Sequence, residues 1–328
     1  MTIYDIAKEA GVSASTVSRV INNKSGIKAS TKKKVEKLIT KYDFKLNENA
    51  KSLITKESKL VAIFVSDIRL EHHNTLSYEI SKRLLEKEYL SVVINIANDF
   101  SQINMAINIL RQRQIAGIIF IGSIFVTPLI REIITKYFIS IPIIMTNGYF
   151  DLPNVYSVII DDYNGSKDGV NFLYSKQYKK IAFIGNLNTK SNKEKVKGYI
   201  DGLSYNKKQT TPLIIDTFKN NNTFFEIDKM FEENLDIDSI MFSDDFTMFK
   251  YISYLMKFKK DIPNELGLMG YNDDLIATLN KPKFTTINNK INDIVNTTVD
   301  TFLSVLNNEE RAKRVVLLTE IIERETTK

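Results

Sequence analysis

The 328-residue sequence predicts a small all-α head, a short connecting segment, and a two-lobed α/β body built on parallel sheets. Three observations predict this. Apolar residues recur at helical spacing through about the first forty positions. From about residue 60, short β-rich runs alternate with amphipathic stretches, the pattern of parallel sheets covered by helices. The charge is also divided. Residues 1–60 hold 13 Lys and Arg against 6 Asp and Glu, a balance of +7, while the remainder sums to −1. A basic module on a nearly neutral body points to an anionic polymer as its partner; a solvated basic surface is the alternative.

Composition narrows the chemistry. The chain has no cysteine, which removes disulfides, thiolate catalysis and cysteine–zinc sites, and fits a reducing cytosol. Its two histidines are neighbours, His72 and His73, so no dispersed histidine metal cluster is expected. The apolar runs are shorter than the roughly 20 residues of a spanning helix, and no secretory pattern opens the chain. No glycine-rich phosphate loop follows the first strand, and no nucleophile–base–orienter set is visible. The expectation is a cytoplasmic protein that is not an enzyme and has no cofactor, metal or membrane partner.

In the head, Ile3, Ile6/Ala7 and Ala10 define a first helix, which Gly11 can end in the left-handed conformation. Ser13 is placed to cap a second helix carrying Val17, Val20 and Ile21 inward. Ser30 is expected to cap a third, with Val35, Leu38/Ile39 and Tyr42 inward and Lys32, Lys33, Lys34 and Lys37 outward. Helix, tight turn and helix make a helix-turn-helix candidate. Hydroxyls compete for the backbone within a helix, so Ser15, Thr16 and Ser18 suggest a demand from outside the fold. Ala14, Ser15, Ser18 and Arg19 lie on the outer side, the side that enters the major groove in this motif. Arg19 could pair with guanine, and the hydroxyls with bases or phosphates. A small helical bundle with a polar surface is the bland alternative.

In the body, "LVAIFVSD", "SVVINIAN", "AGIIFIG" and "PIIMTN" form a first series of strand-like runs. "YSVIID", "KIAFIGN", "SIMFSD" and "LGLMGYN" form a second. Two series imply two similar lobes, with ligands at the carboxyl ends of the strands. Asp67, Asn147, Asp244 and Asn272 stand at or just past such ends, as polar groups around one cleft.

"TIYDIAKEAGVSASTVSRVINN" and "STKKKVEKLITKYDFKLNENAKSL" closely resemble the DNA-binding head and hinge of the LacI/GalR family of bacterial transcriptional regulators. "SDIRLEHH", "IDDYNG", "KKIAFIG", "SDD", "GYND" and "PKFTTI" extend the resemblance, more loosely, over the periplasmic-binding-protein-like effector domain. The resemblance implies a helix-turn-helix domain at 1–46, a hinge helix and linker at 47–59, and an effector-binding and dimerisation domain at 60–328. It implies lobes of approximately 60–160 plus 288–318, and 161–287 plus 319–328.

It further implies that Ala14 and Ser15 choose the operator and that Arg19 reads a base. Thr2, Tyr4, Thr16, Ser18, Asn22 and Thr31 would steady the DNA backbone or the reading helix. "NENAKSL" would be the hinge, with Asn47, Ala50 and Lys51 against DNA and Leu53 wedged into the minor groove. About seven residues are too few for a stable isolated helix, so folding on the operator is expected. The sequence departs from the family at Leu46, where proline is usual, and at Lys51, where arginine is usual.

The implied ligand residues are Asp67, Arg69, His72, His73, Asn147, Ser191, Lys195, Phe218, Asp244 and Asn272, with Phe218 stacking on the ligand. Lys195 stands where arginine is common, Asp244 where asparagine is usual, Asn272 where aspartate is usual, and the two histidines at an aromatic pair. The implied function is a homodimeric repressor on pseudo-palindromic double-stranded operator DNA. A small carbohydrate-like effector would control it, a neutral sugar first and a sugar phosphate or sugar acid second. The alternative is a catabolite regulator controlled by a phosphorylated carrier protein or a sugar phosphate. A transport-type binding protein would have no use for the head, and an enzyme would need a catalytic set.

Overall fold

The computed structural model describes residues 1–21, 24–44, 58–97, 99, 101–206, 209, 211–219, 222–233 and 236–328. The expected DNA contacts Asn22, Asn47, Ala50, Lys51 and Leu53 lie outside the described residues, as does Leu46. The chain divides into two compact units, Met1–Ser58 and Lys59–Lys328.

The first unit is helical. α1 (Ile3–Ala10) starts in a reciprocal capping box: Asp5 N donates to Thr2 Oγ1 at 3.3 Å and Thr2 N donates to Asp5 Oδ2 at 2.8 Å. It ends at Gly11, whose φ of 67° is the left-handed conformation expected there. α2 (Ala14–Ile21) is capped by Ser13, whose hydroxyl accepts from Thr16 N at 3.2 Å. α3 (Ala29–Lys41) begins one residue before Ser30; its N-cap is Lys28, without a side-chain cap, so the expected Ser30 cap is replaced. Ile6, Ala7, Ala10, Val17, Val20 and Val35 make the buried core. Glu9 ties α1 to α3 by accepting from Lys41 Nζ at 3.2 Å and Tyr42 OH at 3.0 Å.

The second unit holds two six-stranded sheets. In the first, β1 (Leu60–Val65) lies between β2 (Leu90–Asn95) and β3 (Gly117–Ile121), followed outward by β4 (Ile143–Thr146), β5 (Val155–Ile160) and β11 (Arg314–Leu317). All its pairings are parallel. The second sheet runs β7 (Leu213–Asp216), β6 (Ile181–Gly185), β8 (Ser239–Phe242), β9 (Gly267–Asn272) and β10 (Thr285–Asn288) in parallel. β12 (Glu320–Ile322) closes it antiparallel to β10. "YSVIID", which opens the second series of runs, belongs to the first sheet as β5.

Strand alternation builds a core on each face of each sheet. Ala62, Phe64, Ile118 and Phe120 enter one cluster of the first lobe, and Val61, Ile63, Ile119 and Ile121 enter the other. The second lobe divides Ala182 and Ile184 from Ile181 and Phe183 in the same way. The helices between strands are α4 (Glu71–Glu86), α5 (Ser101–Arg111) and α6 (Pro128–Tyr137) in the first lobe. α7 (Asp162–Ser175), α8 (Lys190–Asn206), α9 (Thr223–Glu233), α10 (Asp245–Leu255) and α11 (Leu275–Leu279) serve the second. α12 (Ile291–Leu306) then returns to the first. α7 and α8 pack closely because Gly198 has no Cβ; one there would stand 2.0 Å from the Tyr163 carbonyl oxygen. No described helix is long and apolar enough to cross a membrane.

Candidate functional site

The head offers the first site. With Val17 and Val20 buried, Ser15 and Arg19 are exposed on the opposite side of α2, while Ala14 and Ser18 are half-buried beside them. The hydroxyls are held in order before any partner arrives: Ser13 Oγ lies 2.7 Å from Ser15 Oγ and 2.9 Å from Thr16 Oγ1. Arg19 Nη2 donates to the Ser25 carbonyl at 2.9 Å, which aims the guanidinium along the turn after α2. Lys24, Lys28, Lys32, Lys33, Lys34 and Lys37 are exposed. Tyr4 is exposed and Thr31 half-buried, while the Thr2 hydroxyl is engaged in the α1 cap. An exposed helix face of small and hydroxyl residues, one oriented arginine and surrounding lysines can enter a groove and neutralise phosphates.

The second site is a cavity of about 420 Å³ between the two lobes of the second unit. Strand ends and the turns after them supply its wall, and two of its non-glycine residues hold positive φ, Asn147 at 54° and Asn272 at 100°. Non-glycine residues in that region are costly, and such positions concentrate at binding sites. Of the ten expected ligand residues, seven line this cavity: His72, His73, Asn147, Ser191, Lys195, Asp244 and Asn272.

Three of the ten do not line it. Asp67 and Arg69 pair with each other in the turn after β1, through Arg69 Nε at 2.9 Å and Nη2 at 2.7 Å. The Arg69 guanidinium beside Asp67 holds that carboxyl below its usual range, and the arginine side chain itself is 84% exposed. Phe218 is exposed outside the wall, although its neighbour Thr217 is part of it; Phe246 and Tyr251 supply the aromatic surface instead.

Two residues within the wall are already committed. Asp244 is the N-cap of α10: Oδ1 accepts from Thr247 N at 2.7 Å, and Oδ2 accepts from Ser243 Oγ and Thr247 Oγ1 at 2.7 and 2.8 Å. Asn272 Oδ1 accepts from Asn289 Nδ2 at 2.9 Å, and its Nδ2 donates to Asp274 Oδ2 at 3.3 Å. Both therefore shape the wall, with their polar atoms occupied.

Lys195 is buried. Its ammonium donates to the Ser243 carbonyl at 2.8 Å, lies 3.7 Å from the Tyr271 ring centroid, and stands 4.0 Å from Asp162. The close α7–α8 packing brings these two charges together. Burial raises the Asp162 carboxyl above its usual range, and Lys195 opposes that rise. Ser191 joins both lobes: its hydroxyl donates to Asp162 at 2.6 Å and its backbone N–H donates to Ser123 Oγ of the first lobe at 2.9 Å. Glu71 makes a second bridge, accepting from Leu275 N at 2.6 Å and Ile276 N at 3.3 Å at the start of α11.

Sequence reading missed Glu71, Ser123, Asp274 and Asn289 in the wall, and Asp162 behind it. Asp162 had a signal, a carboxylate directly after the strand-like run "YSVIID". Asp274 had only its place after Asn272. Burial pushes Asp274 up to about 7 and pulls His72 down to about 3, so His72 is neutral. Burial also lowers His73. The site can hold a compact, hydroxyl-bearing molecule against an aromatic wall.

Comparison with known proteins finds relatives for both the head and the body. Residues 2–47 match the family described as "Bacterial regulatory proteins, lacI family", and residues 170–327 match the "Periplasmic binding protein-like domain". The chain is 30% identical to Catabolite control protein A of Streptococcus mutans, over 100% of this chain and 98% of that protein. Among solved structures it superposes on the lac repressor dimer bound to operator and the anti-inducer ONPF, with a TM-score of 0.85 and 22% identity, covering 100% of this chain and 99% of that one. It also superposes on a periplasmic binding protein/LacI transcriptional regulator from Alkaliphilus metalliredigens complexed with D-xylulofuranose. There the TM-score is 0.71 and the identity 23%, over 82% of this chain and 99% of the other.

Proposed function

We propose a mode of action from the premise that this chain belongs to the lacI family of bacterial regulatory proteins and is a DNA-binding transcriptional regulator. It acts as a cytoplasmic homodimeric repressor. Two copies of α2 read the half-sites of a pseudo-palindromic operator, about one helical turn apart or a multiple of it. A small sugar-like effector entering the cleft changes the balance between lobe arrangements, and with it operator affinity. A ligand shifts such a balance only by binding one arrangement better than the other, and the bridges from Ser191 and Glu71 make the two arrangements differ in energy.

The observation that carries this reading is the pairing, in one chain, of an exposed reading helix in a basic head with a two-lobed cleft of buried polar groups. A binding protein for transport has no use for the first, and no catalytic set accompanies the second among the described residues. The whole-length similarity to Catabolite control protein A supports a second reading, in which a phosphorylated carrier protein or a sugar phosphate supplies the signal.

The test is a mobility-shift titration on the DNA upstream of the protein's own gene, with and without a sugar panel. Wild-type protein is expected to prefer one palindromic site over random DNA, and a sugar to change that affinity. Arg19→Ala should lose roughly 1–3 kcal/mol of discrimination at one base pair and little on random DNA. Equal loss on both DNAs makes Arg19 a phosphate contact only. A response to a phosphorylated carrier and to no sugar selects the second reading.

A further inference from the structure

Two carboxylates compete for the start of α11, and they belong to different lobes. Asp274 is the N-cap residue of α11, with the extended backbone of that position at φ −66° and ψ 158°. Aspartate is among the side chains that cap best, by accepting from the second or third N–H of the helix. Yet this carboxylate makes no capping bond. The second N–H, that of Ile276, donates instead to Glu71 Oε2 of the first lobe at 3.3 Å, and Leu275 N donates to Glu71 Oε1 at 2.6 Å.

Displaced from the cap, Asp274 is poorly served. It is 4% exposed, and its Oδ2 accepts from Asn272 Nδ2 at a long 3.3 Å. Among the described residues its Oδ1 is buried without a hydrogen bond; His72 Nδ1 stands 4.0 Å away, beyond bonding reach. Buried polar atoms are nearly always paired, and leaving one unpaired is costly. The backbone is set for a cap and the side chain is the right kind, so α11 has two carboxylates able to take one N–H.

Resting on the lobe rearrangement proposed above, we infer that α11 exchanges its cap between lobes: Glu71 holds it while the lobes are together, Asp274 takes over the Ile276 N–H when they part, and the rearrangement thereby answers to protons as well as to the effector. Asp274 replaces one of the two bonds that Glu71 makes, so α11 is looser with the lobes apart.

The link to protons follows from the groups that face Asp274. Glu71 and His72 face it from α4, Asp244 and Asp245 from α10, and Lys195 from α8. Asp273, the preceding residue, is paired with Arg324 at 2.6 Å. His72 is neutral because burial pulls it down to about 3, and Lys195 already donates to the Ser243 carbonyl. Carboxylates thus outnumber free cations, and burial with Glu71 and Asp244 close by pushes Asp274 up to about 7. Burial raises Asp245 as well. Parting the lobes removes Glu71, admits water and gives Asp274 an N–H to accept, all of which favour its charged form. The lobes-together arrangement therefore holds one more proton between about pH 4 and pH 7, and raising the pH through that window favours parting.

Fluorescence energy transfer within the full chain tests this. The sequence has no cysteine of its own. Glu132→Cys on α6 and Lys229→Cys on α9, both exposed, carry the dyes, and labelled chains are diluted into unlabelled ones. Without ligand, going from pH 8 to pH 6 should raise the ratio of closed to open chains about tenfold. Glu71→Ala should lower that ratio at least tenfold at pH 6. Asp274→Ala should raise it at pH 8, by roughly fivefold, because only the open arrangement loses a cap. Asp274→Asn caps as well as aspartate but binds no proton, so it should keep both arrangements and lose the response to pH. Circular dichroism checks folding, and Asp274→Asn carries the test if Asp274→Ala does not fold. Asp274→Ala and Glu71→Ala moving the ratio in the same direction overturns the inference, as does a pH response that survives in Asp274→Asn. Operator affinity is measured beside the ratio. A ratio that follows pH while operator affinity does not bears out the cap exchange and defeats the proposed link from lobes to head. An operator affinity that answers a sugar, with a ratio unmoved by pH and by both alanine variants, overturns the cap exchange and leaves that link standing.

Discussion

Asp274 shows how a single side chain links the cleft to stability. Burial raises its carboxyl from 3.8 to about 7. The folded protein therefore binds that proton more tightly than the unfolded chain. Between about pH 4 and pH 7 folding takes up a proton, so this group's contribution to stability falls as pH rises through the window and levels off above it. Each pKa unit corresponds to about 1.4 kcal/mol, an upper scale for a residue with Asp245 beside it. Asp274→Asn stays neutral throughout. In the ligand-free protein it should raise the melting temperature by several degrees at pH 8 and by much less at pH 5, measured by calorimetry. An equal gain at both pH values would place the effect in packing and remove the buried charge from the argument. The same residue shows why part of the site was illegible. Its environment is made by α4, α10 and β9, which are far apart in sequence. The Asp67–Arg69 pairing was local, by contrast. Two opposite charges two residues apart in a turn satisfied each other, and that contact took both out of the wall.

At the scale of elements, short and nearly continuous apolar runs were readable wherever the strand is buried on both faces, as in β1, β3, β6 and β9. β7, β10, β11 and β12 were not named as strands from the sequence. They are three or four residues long, and their pairing depends on partners distant in the chain; β7, β11 and β12 are partly exposed sheet edges, while β10 is buried. In the head, Gly11 and Ser13 announced their caps because the chemistry is local, whereas α3 starts at Ala29 after an N-cap without a side-chain bond, and Ser30 misplaced that cap by two residues. α11 is the element whose stability depends most plainly on another lobe. Five residues are too few to hold a helix alone, and its first two free N–H groups donate to Glu71 of α4. Hydrogen bonds to a charged group contribute roughly 1.5–3 kcal/mol each at most. Glu71→Ala should therefore speed amide exchange across 275–279 by tenfold or more, with β9 and β10 unchanged, as read by hydrogen-exchange mass spectrometry. Unchanged exchange at 275–279 would show that α11 is held by its own lobe.

At the scale of the whole molecule, one feature of the body remains unsatisfied in a single chain. β2 is the outer strand of the first sheet, and Leu90, Val92 and Val93 are all exposed along it. Met105 and Ile109 of α5 are exposed as well. Successive strand residues point to opposite faces, so exposure of both Val92 and Val93 means that neither face of this edge is fully covered by its own chain, although Ile94 packs on the core. An apolar, unpaired edge invites association, and native proteins blunt or cover it. A second copy of the chain is the cover that the proposed operator symmetry requires, because each copy brings one reading helix to one half-site. Linking two weak half-site contacts raises overall affinity by roughly 10²–10⁴ through effective concentration alone. Val92→Asp with Val93→Asp should therefore shift the protein from twice the chain mass to the single chain mass in sedimentation equilibrium. Operator affinity should fall by a comparable factor, while binding to one isolated half-site stays as it was. A double variant that still sediments as a dimer would move the interface elsewhere on the body. A wild-type chain that is monomeric at micromolar concentration, yet binds the full palindrome no better than one half, would overturn the two-copy arrangement itself.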